Sequence, residues 1–296
     1  MISLIWLVFS NLALAEPVSV QVDQSIPQGP SRIGVGSPIT LKFPGDSKAH
    51  TGEFLGQLVQ NGTKLDQLML LDLDRSRIFL VNRSDLEIPR GDFQKIVKLY
   101  NQVDGTCTGY AMNDLFQQIS LNGMVGNTQL KQTFSTEKGR TQFLVRAIND
   151  YYIATQHRTS IRGILSAYGK EFGLKCGMKT FTDTESAESY VGRKVLAGTP
   201  VLIAFNVGPN MYDSDLTIAD YAKPRTVMDR RLWLPRKVGE RNSGGHSVLA
   251  VAAFQAKGKN RLLMLDSDWA EPRVWDLDLA LGGKTAVSEI EFHVCE

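Results

Sequence analysis

A cysteine at the head of an apolar-periodic segment is the clearest candidate nucleophile in this chain. Cys107 follows a polar approach that contains Gly105, and Ala111, Leu115 and Ile119 then repeat at helical spacing. The pattern predicts a helix that begins near the cysteine. Unpaired backbone N–H groups and the positive end of the helix dipole stabilise a thiolate there, and the thiolate is the nucleophilic form. Taken alone, the same pattern also fits a small buried cysteine.

A histidine and two aspartates far downstream favour the chemical interpretation. His246 stands at the start of an apolar strand, after two glycines, and a second apolar strand at residues 262–265 ends at Asp266. Adjacent antiparallel strands bring such ends together, so a carboxylate can accept the imidazole N–H. Asp266 is favoured because it follows the strand directly, and Asp268 stays the alternative. Cysteine, histidine and aspartate are the groups that a thiolate–imidazolium mechanism needs.

These segments resemble those of the papain-like cysteine peptidases. Residues 105–111 (GTCTGYA) look like the helix-opening nucleophile segment of that family, and residues 244–248 (GGHSV) look like its histidine strand. The separation is 246 − 107 = 139 residues, inside the roughly 130 to 150 typical of the family. Residues 196–201 resemble the passage from its last helix into the β lobe. The resemblance covers residues 92–296 and implies a helical lobe followed by an antiparallel β lobe.

The resemblance also implies an amide that helps to bind the oxyanion. Gln102 is the natural match, one residue nearer to the cysteine than the common spacing, and Asn101 occupies the usual offset as the alternative. Either amide would act with the backbone N–H of Cys107. The chain departs from the family pattern in having Thr106 and Thr108 beside the cysteine.

The activity implied is peptide hydrolysis through an acyl-thioester. Cys107 attacks the carbonyl, His246 protonates the leaving amine and then activates water, and Asp266 orients the imidazole. The expected partner is a polypeptide substrate, with no cofactor and no metal. Two alternatives use the same residues: a transglutaminase-like or other acyl-transfer enzyme, and a catalytically inactive peptidase-like binding protein.

The amino-acid composition gives no support to two other classes of function, nucleic-acid binding and binding to anionic membranes. The 296 residues carry 33 basic and 31 acidic side chains, a formal charge of +2, which gives no reason to expect nucleic acid or an anionic membrane as partner. The sequence leaves oligomeric state open. It also leaves open whether the other two cysteines, Cys176 and Cys295, pair with each other.

The composition and the pattern of apolar residues divide the sequence into four regions. Residues 1–15 are almost wholly apolar and end in a small-residue cleavage pattern, which predicts a signal peptide and an exported, secreted or periplasmic protein with no stable membrane insertion after its removal. Residues 16–32 are predicted to be a linker or flexible arm. Residues 33–90 are predicted to form a small β-rich domain similar in texture to an SH3-like barrel, and residues 91–296 the peptidase domain.

The second domain reads as α+β because helices lead and strands follow. Helices are predicted at residues 92–100, 108–121, 141–155, 161–172 and 185–196, and a buried strand at 201–207. Residues 208–242 are predicted to be a long surface excursion. Other histidines and acidic turn residues are interpreted as structural rather than as catalytic groups or metal ligands: His50, His157, His293, Asp72, Asp74 and Asp215.

Overall fold

The fold is α+β, with two large β-sheets and a group of helices. A computed structural model describes residues 18–22, 32–59, 66–88, 92–97, 102, 105–123, 128–156, 160–221, 231–269 and 272–296. The predicted signal segment at residues 1–15 lies outside this range. No helix in the described part is long and apolar enough to cross a membrane.

Short strands dominate the first hundred residues. They are β1 (Val18–Val22), β2 (Arg32–Ile33), β3 (Ser37–Lys42), β4 (His50–Val59), β5 (Asp66–Asp72), β6 (Arg77–Asn82), β7 (Leu86–Glu87), β8 (Asp92–Phe93) and β9 (Lys95–Val97). Strands β6, β5, β4, β3, β1 and β7 pair in this order to form what we call the N-terminal sheet, and β9 pairs with the far end of β4. The β-rich region predicted at residues 33–90 is therefore confirmed as strands.

A glycine lets the long strand β4 change partners. Residues 50–54 of β4 pair with β3, whereas residues 57–59 pair with β9, and the register against β5 shifts between Phe54 and Gly56. Gly56 has φ +121°, and a Cβ there would lie 2.6 Å from Ile96 Cγ1. Only glycine fits this conformation and this close approach.

The remaining elements form a helical group followed by a second sheet. They are α1 (Cys107–Asn122), α2 (Thr128–Ser135), α3 (Glu137–Gln156), α4 (Ile161–Glu171), β10 (Cys176–Lys179), α5 (Thr184–Leu196), β11 (Val201–Asp213), β12 (Thr217–Asp220), β13 (Arg231–Pro235), β14 (Gly245–Ala256), β15 (Lys259–Leu265), β16 (Arg273–Asp276), α6 (Leu277–Leu281) and β17 (Glu291–Cys295). The C-terminal sheet has the order β10, β17, β11, β14, β15 and β16, with β13 beside the far end of β11.

The two halves of the chain share one core. Buried side chains of the N-terminal sheet, including Leu55 and Ile96, belong to the same apolar cluster as Leu115 of α1 and Leu263 of β15. The buried Gln118 side chain of α1 accepts the N–H of Val97 at 3.0 Å and donates to the carbonyl of Lys95 at 2.8 Å. Strand β12 belongs to the C-terminal half of the chain but pairs in parallel with β6 of the N-terminal sheet. The N-terminal sheet is thus packed and hydrogen-bonded onto the helix that begins at the cysteine.

Helices predicted at residues 108–121, 141–155, 161–172 and 185–196 are confirmed as α1, α3, α4 and α5, and α2 was missed. The helix predicted at 92–100 is wrong for residues 92–97, which form β8 and β9. Two of the three residues of β9, Ile96 and Val97, have β-branched side chains, which favour extended structure. The backbone of β9 also pairs with β4 and with the side chain of Gln118, which stabilises the strand more than a single isolated helical turn would be stabilised. Residues 98–100 lie outside the described range.

Two further predictions need correction. The linker predicted at residues 16–32 contains β1, in which Val18 and Val20 are buried against β3 because valine alternates with polar residues there; residue 32 belongs to β2. The surface excursion predicted at 208–242 contains β12 and β13, with Ile218 and Leu232 buried. Strands paired across residue 90, such as β4 with β9, also cross the predicted domain boundary. These strands are short and take their partners from remote segments, so their own sequence periodicity is weak.

The other two cysteines are joined to each other. Cys176 on β10 and Cys295 on β17 form a disulfide, and the two strands pair in register at these residues. The bond ties the end of the chain to the segment after α4. Cys107 is the free cysteine.

Candidate active site

The first turn of α1 carries the candidate nucleophile. The N-cap residue Thr106 makes no side-chain hydrogen bond to the helix, so the early N–H groups of α1 are not capped by that side chain. Cys107 is buried, with 8% of its surface exposed. Its neighbour Thr108 is hydrogen-bonded through its hydroxyl to that of Ser247 on β14, at 2.9 Å. This link fixes the start of the helix against the strand that bears the histidine.

The C-terminal sheet delivers the other two groups. His246 is the second residue of β14 and lies opposite Phe205 of β11 in the antiparallel register. Strand β15 runs back beside β14, with Leu265 opposite Leu249, so Asp266 emerges at the end of the sheet from which His246 projects. Both side chains are buried. Pairing of the two strands thus brings the imidazole and the carboxylate together, as the sequence predicted.

The imidazole contacts both proposed partners. His246 Nε2 lies 3.0 Å from Asp266 Oδ1, and the His246 imidazole and the Cys107 thiol are close enough that each shifts the pKa of the other. Because Nε2 faces the carboxylate, Nδ1 is the nitrogen left for sulfur. The Phe205 ring stands edge-on to the imidazole, with centroids 5.7 Å apart. The structure therefore brings Cys107, His246 and Asp266 into one chain of contacts.

The electrostatics of this group favour separated charges. Burial opposes ionisation of the thiol, but the hydrogen bond and charge of His246, with smaller help from Thr108 and the Ser247 backbone, lower the pKa of Cys107 below 9.0. Burial also opposes protonation of the imidazole, but Asp266 and Cys107 together raise the pKa of His246 from 6.5 to about 10. Both shifts stabilise a thiolate beside an imidazolium.

Asp268 lies farther from the imidazole than Asp266. Its Oδ2 is 3.9 Å from His246 Nε2 and accepts the indole N–H of Trp233 at 3.0 Å. Burial, reinforced by the charge of Asp266, raises the pKa of Asp268, against the opposing effect of His246. Asp266 is therefore the carboxylate in hydrogen-bonding contact with the histidine.

Gln102 lies against the loop that follows Asp266. Its backbone N–H donates to the Ser267 carbonyl at 2.8 Å, its side-chain oxygen accepts the Ser267 hydroxyl at 2.6 Å, and its amide N–H donates to Asp268 Oδ1. The amide is thus held at the aspartate side of the site. Its role as an oxyanion donor stays a prediction, and Asn101 lies outside the described residues.

Sequence reasoning missed three polar side chains that organise the site: Thr108, Ser247 and Trp233. Thr108 and Ser247 each follow a reacting residue directly, and that adjacency was the available signal. Trp233 lies on β13, in the segment interpreted as an excursion, so nothing local pointed to its contact with Asp268. Trp269, in the loop that follows Asp266, packs under the Arg273 guanidinium, which lies 4.0 Å from the centroid of its ring.

A cavity opens beside the histidine. It has a volume of about 240 Å³ and is lined by Thr108, Tyr151, Phe205, His246 and Glu291, among others. Both apolar and acidic side chains thus face the space next to the imidazole.

Metal ligation is a second chemical possibility for part of this group. His246, Asp266 and Asp268 place one ligand atom each within 4.8 Å of one another, and His50, Asp72 and Asp74 do the same in the N-terminal sheet. What distinguishes the first group is the thiol in contact with its imidazole. Compared with known proteins, the chain matches no family model and no curated protein sequence.

Proposed function

We propose that the protein is a cysteine peptidase in which Cys107, His246 and Asp266 hydrolyse peptide bonds. The observation that carries this proposal is one buried imidazole whose Nε2 lies 3.0 Å from a buried carboxylate and which lowers the pKa of a neighbouring thiol. Three residues far apart in sequence meet in the geometry of nucleophile, base and orienting group.

The reaction follows from these contacts. The Cys107 thiolate attacks the scissile carbonyl, and the early N–H groups of α1 lie where they can donate to the developing oxyanion. The His246 imidazolium gives its proton to the leaving amine, which leaves an acyl-thioester on sulfur. Neutral His246 then takes a proton from water, the hydroxide so formed attacks the thioester carbonyl, and release of the acid restores the Cys107 thiolate beside the His246 imidazolium. Asp266 holds the ring in place throughout.

The arrangement of the elements supports a papain-like fold for residues 92–296. A helix that begins with the cysteine packs against antiparallel strands that bear the histidine and the aspartate, and the helices α1 to α4 precede most of the strands. Strand β4, which exchanges β3 for β9 as its partner near Gly56, supports an SH3-like arrangement of the N-terminal sheet. Both assignments are part of the proposal.

Export is also part of the proposal. Disulfides persist in oxidising compartments, so the bond between Cys176 and Cys295 supports a secreted or periplasmic location. This agrees with the apolar segment at residues 1–15.

The proposal is tested with Cys107→Ser and a matched Cys107→Ala protein, with circular dichroism to confirm folding. We expect the wild type to cleave an unstructured polypeptide such as casein and both variants to lose at least about 10³-fold of the rate. A second assay adds a primary amine and follows its incorporation by mass spectrometry. Faster amine transfer than hydrolysis would favour the acyl-transfer alternative. Cleavage unchanged in Cys107→Ala, or no reaction of the wild type in either assay, would overturn the proposal.

A further inference from the structure

Two hairpin turns meet at one end of the N-terminal sheet, remote in sequence from the candidate active site. The turn between β3 and β4 contains Asp46, and β4 begins at His50. Strand β5 ends at Asp72, and the next turn contains Asp74. Gly52 lies opposite Asp72 in the register, so the start of β4 and the end of β5 are neighbours. One imidazole and three carboxylates are therefore gathered at this end of the sheet.

The spacing of their ligand atoms suits a metal ion. His50 Nδ1 lies 2.9 Å from Asp72 Oδ2 and 3.9 Å from Asp74 Oδ2, and the three residues offer ligand atoms within 4.8 Å of one another. Two ligands bound tetrahedrally at about 2.1 Å from an ion lie about 3.4 Å apart. The observed separations bracket that value, so small side-chain adjustments would bring all three atoms into coordination.

The second ring nitrogen of His50, Nε2, has a carboxylate partner of its own. His50 Nε2 lies 3.3 Å from Asp46 Oδ2, and Asp46 accepts a hydrogen bond from the Arg75 guanidinium at 2.6 Å. A carboxylate at Nε2 favours the tautomer with the proton on that nitrogen, which turns the Nδ1 lone pair toward Asp72. Histidines that bind metals commonly donate their second N–H to a carboxylate in this way.

Two buried atoms at the centre of the cluster lack hydrogen bonds. Among the described residues, His50 Nδ1 and Asp72 Oδ2 are buried polar atoms without a hydrogen-bond partner, although they are 2.9 Å apart, and the Asp72 side chain is fully buried. Two acceptors that face each other away from water are costly unless something positive lies between them. A cation bound by both atoms removes that cost.

The charge of the cluster is also suitable. Asp46, Asp72 and Asp74 contribute three negative charges, and Arg75, whose Nε is 3.7 Å from Asp72 Oδ2, contributes one positive charge. With His50 neutral the balance is −3 + 1 = −2. A divalent cation would neutralise it.

We propose that His50, Asp72 and Asp74 bind a divalent transition-metal ion of the zinc class, which ties the two hairpin turns together. One imidazole nitrogen with two carboxylates suits zinc-class ions, whereas calcium and magnesium take six or more oxygen ligands, many of them from protein or water. The site is structural. Its ligands come from the N-terminal sheet alone and share no residue with the thiol, imidazole and carboxylate of the proposed active site.

The test measures zinc binding to the full-length protein by equilibrium dialysis and metal analysis. His246→Ala serves as the background, because it removes the second cluster that could chelate zinc. In this background we expect one Zn²⁺ per chain, no such binding after His50→Gln or Asp72→Asn, and at least about 10-fold weaker binding after Asp74→Asn. Asp278→Asn, an exposed aspartate of α6, is the matched control and should bind zinc like the background protein. Calcium and magnesium at equal concentration should not compete.

Thermal unfolding provides the second readout. At a zinc concentration about 100 times the dissociation constant we expect the Tm to rise by roughly 4 °C, with the rise lost in Asp74→Asn. Asp74 lies in an exposed turn, so this variant stays informative if the buried Asp72→Asn fails to fold. Zinc binding or a Tm rise that is equal in Asp74→Asn and Asp278→Asn would overturn the proposal, as would the absence of binding at 1 mM zinc. Peptide cleavage is not a readout here, so the outcome is independent of the proposed enzymatic activity.

Discussion

Replacing Asp266 by asparagine should reduce kcat/KM for peptide hydrolysis about 30-fold, because the carboxylate stabilises the imidazolium next to Cys107. The pKa of His246 is raised from 6.5 to about 10, by Asp266 and by Cys107. That rise corresponds to roughly 5 kcal/mol at about 1.4 kcal/mol per pKa unit. Asp266 contributes at least as much of this rise as Cys107, so its carboxylate is worth at least about 2 kcal/mol, or roughly 30-fold in the population of the ion pair.

The dependence on pH gives a sharper test than the rate alone. The protonated His246 stabilises the folded protein fully below pH 6.5, which is the pKa of a free histidine side chain. This stabilisation is lost as the pH rises through about 10, the pKa of His246 in the fold. Without the Asp266 charge, the alkaline limb of the activity profile should move down by one to two pH units, in line with about 2 kcal/mol. The thiol pKa should rise at the same time, since a less stable imidazolium stabilises the thiolate less.

Asp268→Asn is the matched control. Asp268 lies 3.9 Å from Nε2 rather than 3.0 Å and is partly exposed, so we expect less than about a 5-fold loss and an unshifted alkaline limb. Both variants keep the size of the side chain, and circular dichroism and thermal unfolding would show that the fold is intact. An Asp266→Asn enzyme with the activity and pH profile of the wild type would refute the reasoning. So would a larger loss in Asp268→Asn, which would assign the orienting role to Asp268.

Three further outcomes are expected. Alkylation of Cys107 by iodoacetamide should persist below pH 7, where an ordinary thiol slows about tenfold per pH unit; a rate that follows an ordinary thiol would contradict the lowered pKa of Cys107. Replacing Cys176 and Cys295 by serine should lower the free energy of unfolding in urea by about 2–4 kcal/mol, because the disulfide closes a loop of 119 residues; an unchanged midpoint would show that the closed loop adds no stability. Gln118→Ala should lower the free energy of unfolding by about 1–3 kcal/mol, since it removes the hydrogen-bond partners of two backbone groups of β9. Gln118→Glu keeps the acceptor for the Val97 N–H and should lower the free energy of unfolding by less. Equal losses in the two variants would argue against these hydrogen bonds.

The sequence predicted which side chains meet at the candidate active site better than it predicted the sheets. Cys107 could be found because helical periodicity begins at it, and His246 and Asp266 because each adjoins a long apolar strand. Strands β1, β9 and β12 were missed, since each has five residues or fewer and takes its partner from a remote part of the chain. Their stability depends on tertiary pairing, which a local pattern does not contain.

Contacts made by side chains from different elements were equally hidden. Two hydrogen bonds form only when α1, β13, β14 and β15 are assembled. One joins the hydroxyl groups of Thr108 and Ser247, and the other runs from the indole N–H of Trp233 to Asp268. Residue type alone gives no preference among the many possible partners of a threonine or a tryptophan. The cluster around His50 is similar, because two separate turns must meet before its atoms approach each other.

The N-terminal sheet and the candidate active site are linked by direct contacts through α1. At one end of the helix Thr108 is bonded to Ser247 beside His246, and at the other end Gln118 is bonded to β9, while Leu115 between them packs against side chains of the N-terminal sheet. Removing residues 1–88 would expose that apolar face and leave β9 without β4. We therefore expect a chain of residues 89–296 to aggregate or lose its near-ultraviolet circular dichroism, and that result would make the N-terminal sheet a permanent part of the fold that positions the thiol. A soluble, folded and proteolytically active shortened chain would contradict this and would make the N-terminal sheet a removable segment.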